Sequence, residues 1–193
     1  MFKRSSAFLV SVILFQILGA GCAVRDHENR LEPIRVNDLV QTETTPTPRP
    51  IDPRLLSLPI SSLCDRLGQI KLIDDRVPED SDDLYKAIVA KGKEALPCLI
   101  EKIDERTKTP DPRTAPKWQH FTVGDTALFT VLHIASKDDY KRWKELFLAP
   151  LPLAYREEWK TNGVYAYFNY VSEPKNRKAL QNWWKNWLKG HVK

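Results

Sequence analysis

The feature that most constrains this chain is an apolar run that stops short. Ala7 to Leu18 is broken only by Ser11 and Gln16 and follows the positive pair Lys3 and Arg4. It falls below the roughly 18 to 20 residues a membrane-spanning helix needs. A short positive segment followed by a short apolar core is the layout of an export signal. The remaining chain of this 193-residue sequence is then long enough for one domain. The formal charge of +5, with 30 Lys and Arg against 25 Asp and Glu, is too mild and mixed for a nucleic-acid-binding surface. A hydrophobic content of 42% excludes disorder of the whole chain.

The run ends in Leu18-Gly19-Ala20-Gly21-Cys22. These small residues before a cysteine resemble the lipobox of bacterial lipoproteins. Peptidase cleavage inside the bilayer needs extended small-residue backbone, and the new amino-terminal cysteine supplies a thiol for a thioether to lipid. The usual aliphatic residue three before the cysteine is Gly19 here, with Leu18 one place further back. The alternative is an ordinary secreted protein cleaved near Gly21, with Cys22 incidental. The resemblance implies cleavage after residue 21, acylation of Cys22 and a membrane partner through that anchor. Several acyl chains on one residue hold a protein at a membrane without a span. Ala23, where an aspartate would favour inner-membrane retention, implies the periplasmic face of the outer membrane if the host is Gram-negative. Loss of Lys3 and Arg4 with the signal lowers the formal charge to +3.

Residues 22–59 are polar and rich in proline, with Pro46, Pro48, Pro50, Pro53 and Pro59 around a Thr-rich stretch. Such a segment buries too little apolar surface to offset its ordering entropy and is biased toward polyproline II. It reads as a tether, with Ile51 to Leu58 expected to pack on the domain through Leu55, Leu56 and Leu58.

Residues 60–193 read as an all-α, compact array of about six helices. Ser61 or Ser62 opens a helix to about Leu72, with Leu63, Leu67 and Ile70 on one stripe. Ser81-Asp82-Asp83 starts the next, with Gly92 at its end. Another runs from about Lys93 to Glu105, and the prolines at 110, 112 and 116 predict a loop over 107–119. Thr122 and Asp125 stand at capping-box spacing before Ala127, Leu128, Val131 and Leu132. Ser136 to Asp139 caps a helix carrying Tyr140, Trp143 and Phe147, and a helix over about 154–170 follows. Val164 to Val171 also has the aromatic and β-branched character of a strand. The last helix, after Pro174, places Leu180, Trp183, Trp184, Trp187 and Leu188 at helical spacing.

Asp82 to Ala90, Gly92 and Glu94 to Ile100 resemble the paired helices of short HEAT-like repeats. Val123 to Leu128 resembles a further helix of such a unit, with the two Ala-Leu steps 32 residues apart. The resemblance implies HEAT-like helix pairs over about residues 80–136. An irregular bundle is the other arrangement the periodicity allows.

Cys64 and Cys98 remain once Cys22 is acylated. In an oxidising compartment they could pair, or both could be small buried apolar side chains. The chain lacks HExxH, GxSxG, P-loop and glycine-rich dinucleotide patterns. His27, His120, His133 and His191 are scattered, and only a meeting of His120 with Asp125 or Asp111 would suggest a cryptic hydrolase. The expectation is therefore no enzyme, no cofactor and no metal.

Between Lys175 and Lys193 there are six Lys and Arg and no acid. Trp183, Trp184 and Trp187 cannot share one narrow helix face, so at least one is expected at the surface. Either they seal the core, or with Arg177, Lys178, Lys185 and Lys189 they form a partner-binding surface. These features suggest a lipid-anchored binding protein recognising a protein partner in the envelope, for instance as an immunity protein against an envelope-acting toxin. An envelope-assembly or lipid- or lipopolysaccharide-binding accessory role is the alternative.

Overall fold

A computed structural model of the chain describes residues 50–74, 77–115 and 117–191. The expected signal, Cys22, His27 and the tether up to residue 49 lie outside the described residues. Those described form an all-α array with nine α-helices: α1 Pro53–Leu56, α2 Ile60–Cys64, α3 Asp83–Ala90, α4 Leu96–Lys102, α5 Val123–Ser136, α6 Tyr140–Leu148, α7 Leu153–Asn162, α8 Tyr165–Val171 and α9 Pro174–His191.

The helix starts follow capping chemistry. Asp52 caps α1 by accepting from the Arg54 N–H, ahead of a proline whose missing N–H does little harm there. Ile51, Leu55 and Leu58 are partly buried against the core, and Lys91 Nζ donates to Leu56 O at 2.9 Å. The cap of α3 is Asp82, which accepts from the Leu84 N–H at 3.1 Å. Ser81, expected in that role, is buried instead, its hydroxyl accepting from the Asp74 N–H. Asp139 caps α6 through the N–H groups of Lys141 and Arg142.

The added elements are α1, in the segment 51–58, and a second helix where one is expected over 154–170. The helix expected over 61–72 stops at Cys64 and is followed by a 3-10 turn at Leu67–Gln69. There the Gly68 carbonyl accepts from the Thr109 hydroxyl at 3.1 Å, and a Cβ at Gly68 would lie 3.2 Å from Val123 Cγ2. The helix expected over 154–170 is split at Gly163, whose φ of 55° and ψ of −135° suit glycine alone. Val164 to Val171 is not a strand: α8 buries Ala166, Tyr167, Phe168, Tyr170 and Val171. Tertiary burial, not β-propensity, decides that segment.

The central element is α5. Ten of its residues, from Val123 to Ser136, are buried. A helix apolar on most faces belongs inside an array, and α5 packs against α3, α4 and α6. Its start is pressed against the end of α4: the Gly124 N–H donates to Glu105 O at 3.0 Å, and a Cβ there would come within 2.3 Å of Ile103 O. Only glycine permits that approach. The long segment between α4 and α5 is loop, tied down by two isolated bridges, Ile73 with Arg113 and Lys108 with Thr122.

Cys64 at the end of α2 and Cys98 in α4 are joined by a disulfide, with Cα atoms 6.3 Å apart and 34 residues of separation. Closing a loop of that length stabilises a fold by about 3 to 4 kcal/mol in the chain-entropy description. Finally, α9 packs along α4 and α8, which brings the basic terminal helix onto the disulfide-bearing element.

Candidate functional site

The terminal helix divides by face. Arg177, Leu180, Gln181 and Trp184 point inward and are buried. Trp183 and Trp187 are half-buried and meet the Trp184 ring edge-on at 5.1 Å each. This removes Trp184 from any binding surface, because its place on the inward stripe with Leu180 commits its ring to the core. Arg177 leaves the expected basic patch for the same reason. Lys178 is bonded to Gln181 at 2.7 Å and lies 3.9 Å from Asp104. Lys185 pairs with Glu101 at 2.7 Å. Lys189 is exposed and makes no ion pair among the described residues. The charge of the helix is therefore partly answered by acids on the α4 side.

Between α4 and α9 lies a groove of about 490 Å³. Pro97, Cys98, Ile100 and Leu188 form its apolar lining, and Glu101, Lys185 and Lys189 its charged margin. Two of the residues singled out in the sequence, Lys185 and Lys189, thus meet at one groove, with Cys98 of the disulfide alongside.

The histidines fall elsewhere. His120 is exposed beside the edge of Trp118, ring centroids 6.0 Å apart, and bonds to neither Asp125 nor Asp111. Asp111 is engaged by the Arg113 guanidinium, through Nε at 2.9 Å and Nη2 at 2.5 Å, and by the Trp118 N–H at 2.8 Å. His133 is half-buried, edge-on to Tyr85 at 5.9 Å and 3.7 Å from Asp138. His191 stacks on Trp187 at 4.6 Å. Among the described residues no three His, Cys, Asp or Glu side chains gather as a metal site would require.

The polar chemistry that is assembled sits at the start of α5. The expected capping box forms, with Asp125 Oδ2 accepting from the Thr122 N–H at 2.9 Å and the Thr122 hydroxyl at 2.8 Å. The same carboxylate also receives the Tyr167 hydroxyl at 2.6 Å on Oδ1 and Arg177 Nη2 at 2.9 Å from Oδ1 and 3.0 Å from Oδ2. Asp125 is fully buried and the Arg177 side chain 6% exposed. Burial, then the Asp125 charge, pushes the Tyr167 hydroxyl well above its ordinary 10.0, so it stays a donor. For Arg177, burial works against the charge, but Tyr167 and Asp125 outweigh it and raise the pKa. Arg177 Nη1 is buried with no hydrogen-bond partner among the described residues.

Arg177 also lines a cavity of about 260 Å³. Arg106, Trp118, His120, Thr122, Phe168, Val171, Ser172 and Pro174 complete the lining. Trp118 stacks on Phe168 with centroids 4.8 Å apart and planes 12° from parallel.

No family model, curated protein or solved structure matches this chain.

The sequence suggested Asp125 as a capping acid and Arg177 as a member of one possible surface, and did not join the two. A signal for the real arrangement was present. Arg177 lies three and seven residues before Leu180 and Trp184, so a helix that buries both also turns Arg177 inward, where a buried acid must answer it.

Proposed function

We propose that this chain is a non-catalytic, lipid-anchored protein of the cell envelope, whose helical domain binds a protein partner at the groove between α4 and α9. Two features support the location: the lipobox-like Leu18 to Cys22, and the Cys64–Cys98 disulfide, which belongs to an oxidising compartment. The observation that carries the binding reading is the groove itself. Pro97, Ile100 and Leu188 offer an apolar lining, and Lys185 and Lys189 at the margin favour a segment that carries acids beside apolar anchors. The chemistry suits an immunity protein that sequesters a toxin acting at the envelope.

The location is tested by fractionation of cells expressing the wild type and Cys22→Ser. Wild type in the membrane fraction with lipid on Cys22, and Cys22→Ser released, is the expected pair; a soluble, unlipidated wild type sinks the anchor. The immunity role is tested by co-culture of a deletion strain with its parent. Growth inhibition of the deletion strain is expected, relieved by the wild-type gene and not by Lys185→Glu with Lys189→Glu. Equal growth of the deletion strain overturns it.

A lipid- or lipopolysaccharide-binding accessory role is favoured by one observation, the half-buried rings of Trp183 and Trp187 on a basic helix. Under that reading Trp187→Ala lowers binding to lipopolysaccharide-containing vesicles, whereas Trp184→Ala acts only through stability.

A further inference from the structure

The two sulfurs of the Cys64–Cys98 disulfide differ in their surroundings. Cys64, at the end of α2, is 2% exposed and belongs to the core. Cys98, in α4, is only half-buried and forms part of the groove lining beside Pro97 and Leu188. Thiol–disulfide exchange proceeds by attack of a thiolate on one sulfur while the other leaves, so access to each sulfur decides where it occurs. A thiol arriving from solvent meets Cys98 first, and Cys64 is reached only if α2 leaves the core.

The groove also carries a charge. Lys185 is answered by Glu101 at 2.7 Å, whereas Lys189 is exposed and makes no ion pair among the described residues. Two lysines less one glutamate leave the groove margin with one positive charge. Such a charge raises the local concentration of an anionic nucleophile, and screening by salt confines the effect to its neighbourhood. At about 490 Å³ the groove has room for a small molecule next to Cys98.

We propose that Cys98 is a thiol-exchange site, open from the groove to a small anionic thiol. The thiolate attacks Cys98 Sγ. A new sulfur–sulfur bond to Cys98 forms as the Cys98–Cys64 bond breaks, and its electron pair leaves on Cys64, whose thiolate takes a proton from water. A second thiolate then attacks the sulfur of the bound small thiol and releases Cys98. The protein disulfide has then gained two electrons, and two small thiols have been oxidised to one disulfide. With the Cα atoms 6.3 Å apart, the released Cys64 thiolate can also return to Cys98 and expel the adduct, so exchange is reversible while α2 stays packed. The adduct stands in the groove itself. It would therefore compete with a protein partner there, a consequence that rests on the groove being the partner site.

The test follows the disulfide of the purified full-length chain carrying Cys22→Ser, in low-salt native buffer. The probes are 2-mercaptoethanesulfonate, which is anionic, and cysteamine, which is cationic, compared at equal thiolate concentration. Acid quenching, alkylation and peptide mass spectrometry locate the adduct. Adduct on Cys98 is expected to exceed adduct on Cys64 by at least about tenfold, since access selects the sulfur attacked. The anionic thiol should react at least about threefold faster than the cationic one. Lys189→Glu, at an exposed position, should slow the anionic thiol by about fivefold and leave the thermal transition unchanged. Lys141→Glu, exposed on α6 and changing the net charge equally, should leave that rate nearly as it was. No exchange with the folded chain overturns the proposal. So do adduct on Cys64 as often as on Cys98, equal rates for the two probes, and equal slowing by Lys189→Glu and Lys141→Glu. None of these results bears on fractionation or co-culture, so this site and the proposed function fail or stand separately.

Discussion

Two aspartate–arginine pairs are buried in this domain, and they are built in opposite ways. Asp111 and Arg113 are two residues apart in the loop before α5, with side chains 2% and 5% exposed. The Arg113 guanidinium lies over the rings of Phe121, Phe129 and Phe168 at 5.0, 4.6 and 5.0 Å. Its charge is thus met by a carboxylate and by aromatic faces. Asp125 and Arg177 are 52 residues apart and tie α5 to α9. There the carboxylate accepts four hydrogen bonds and a further ion-pair contact, while the guanidinium keeps a buried donor without a partner among the described residues. The local pair stiffens a loop, and the remote pair holds two helices at a set distance. Burial alone does not distinguish the two pairs; how completely each charge is answered does.

The largest expected effect separates the two pairs. Removing one member of a buried ion pair is worth about 3–5 kcal/mol. Asp125→Ala should sit at the upper end in urea unfolding, because it orphans Arg177, the Thr122 N–H and the Tyr167 hydroxyl together. Asp111→Ala should sit at the lower end, since three rings still face Arg113. Equal losses would erase the distinction.

Gly124→Ala comes next. Its Cβ would meet Ile103 O at 2.3 Å and Glu105 O at 2.7 Å, and both are backbone. A loss of about 2–3 kcal/mol is expected from forcing α5 off the end of α4. Because Asp125 is the neighbouring residue, this loss should be less than additive with Asp125→Ala and additive with Asp111→Ala. A double-mutant cycle in urea decides it.

The alkaline limb is smaller. Tyr167 has a raised pKa in the fold, so its contribution is complete below the ordinary 10.0 and disappears as pH rises from there through the folded value. Tyr167→Phe should lose about 1–2 kcal/mol near neutral pH and show a shallower decline above pH 10.0 than the wild type. Tyr170, raised by burial and by Tyr155, keeps a residual slope. Urea midpoints followed upward from neutral pH check this, and an unchanged decline in Tyr167→Phe counts against the Asp125 cluster as its source.

The smallest effect lies at the far end of α5, where Lys137 terminates the helix with φ of 52°. Lys137→Gly should stabilise by about 0.5–1 kcal/mol and equally in the Asp111→Ala and Asp125→Ala backgrounds, as thermal melts would show.

Much of this arrangement was legible in the chain. The capping box of Thr122 and Asp125, the apolar face of α3 and the proline-rich loop before α5 follow from local rules that the fold leaves in force. What was not legible arose where distant chain meets. The 3-10 turn after α2 meets Thr109 and Val123 at Gly68, and the helical state of Val164 to Val171 depends on burial of Tyr167 and Phe168. The basic run after Lys175 read as one patch because sequence counts charges without faces. In the fold Arg177 goes inward, Lys185 meets Glu101, and Lys189 remains outside. The pairing of Cys64 with Cys98 likewise needed the distance between α2 and α4, which no spacing supplies.

That cross-link also sets how the domain carries load. A pull entering from the amino-terminal side can peel away α1 and the short α2 only as far as Cys64. There the tension crosses the covalent bond into Cys98 and α4, and the chain between the two cysteines, including α3, is left slack. Under the proposed anchoring, a load would meet the packed contact of α4, α5 and α9, and the sacrificial segment would be no longer than the stretch before Cys64.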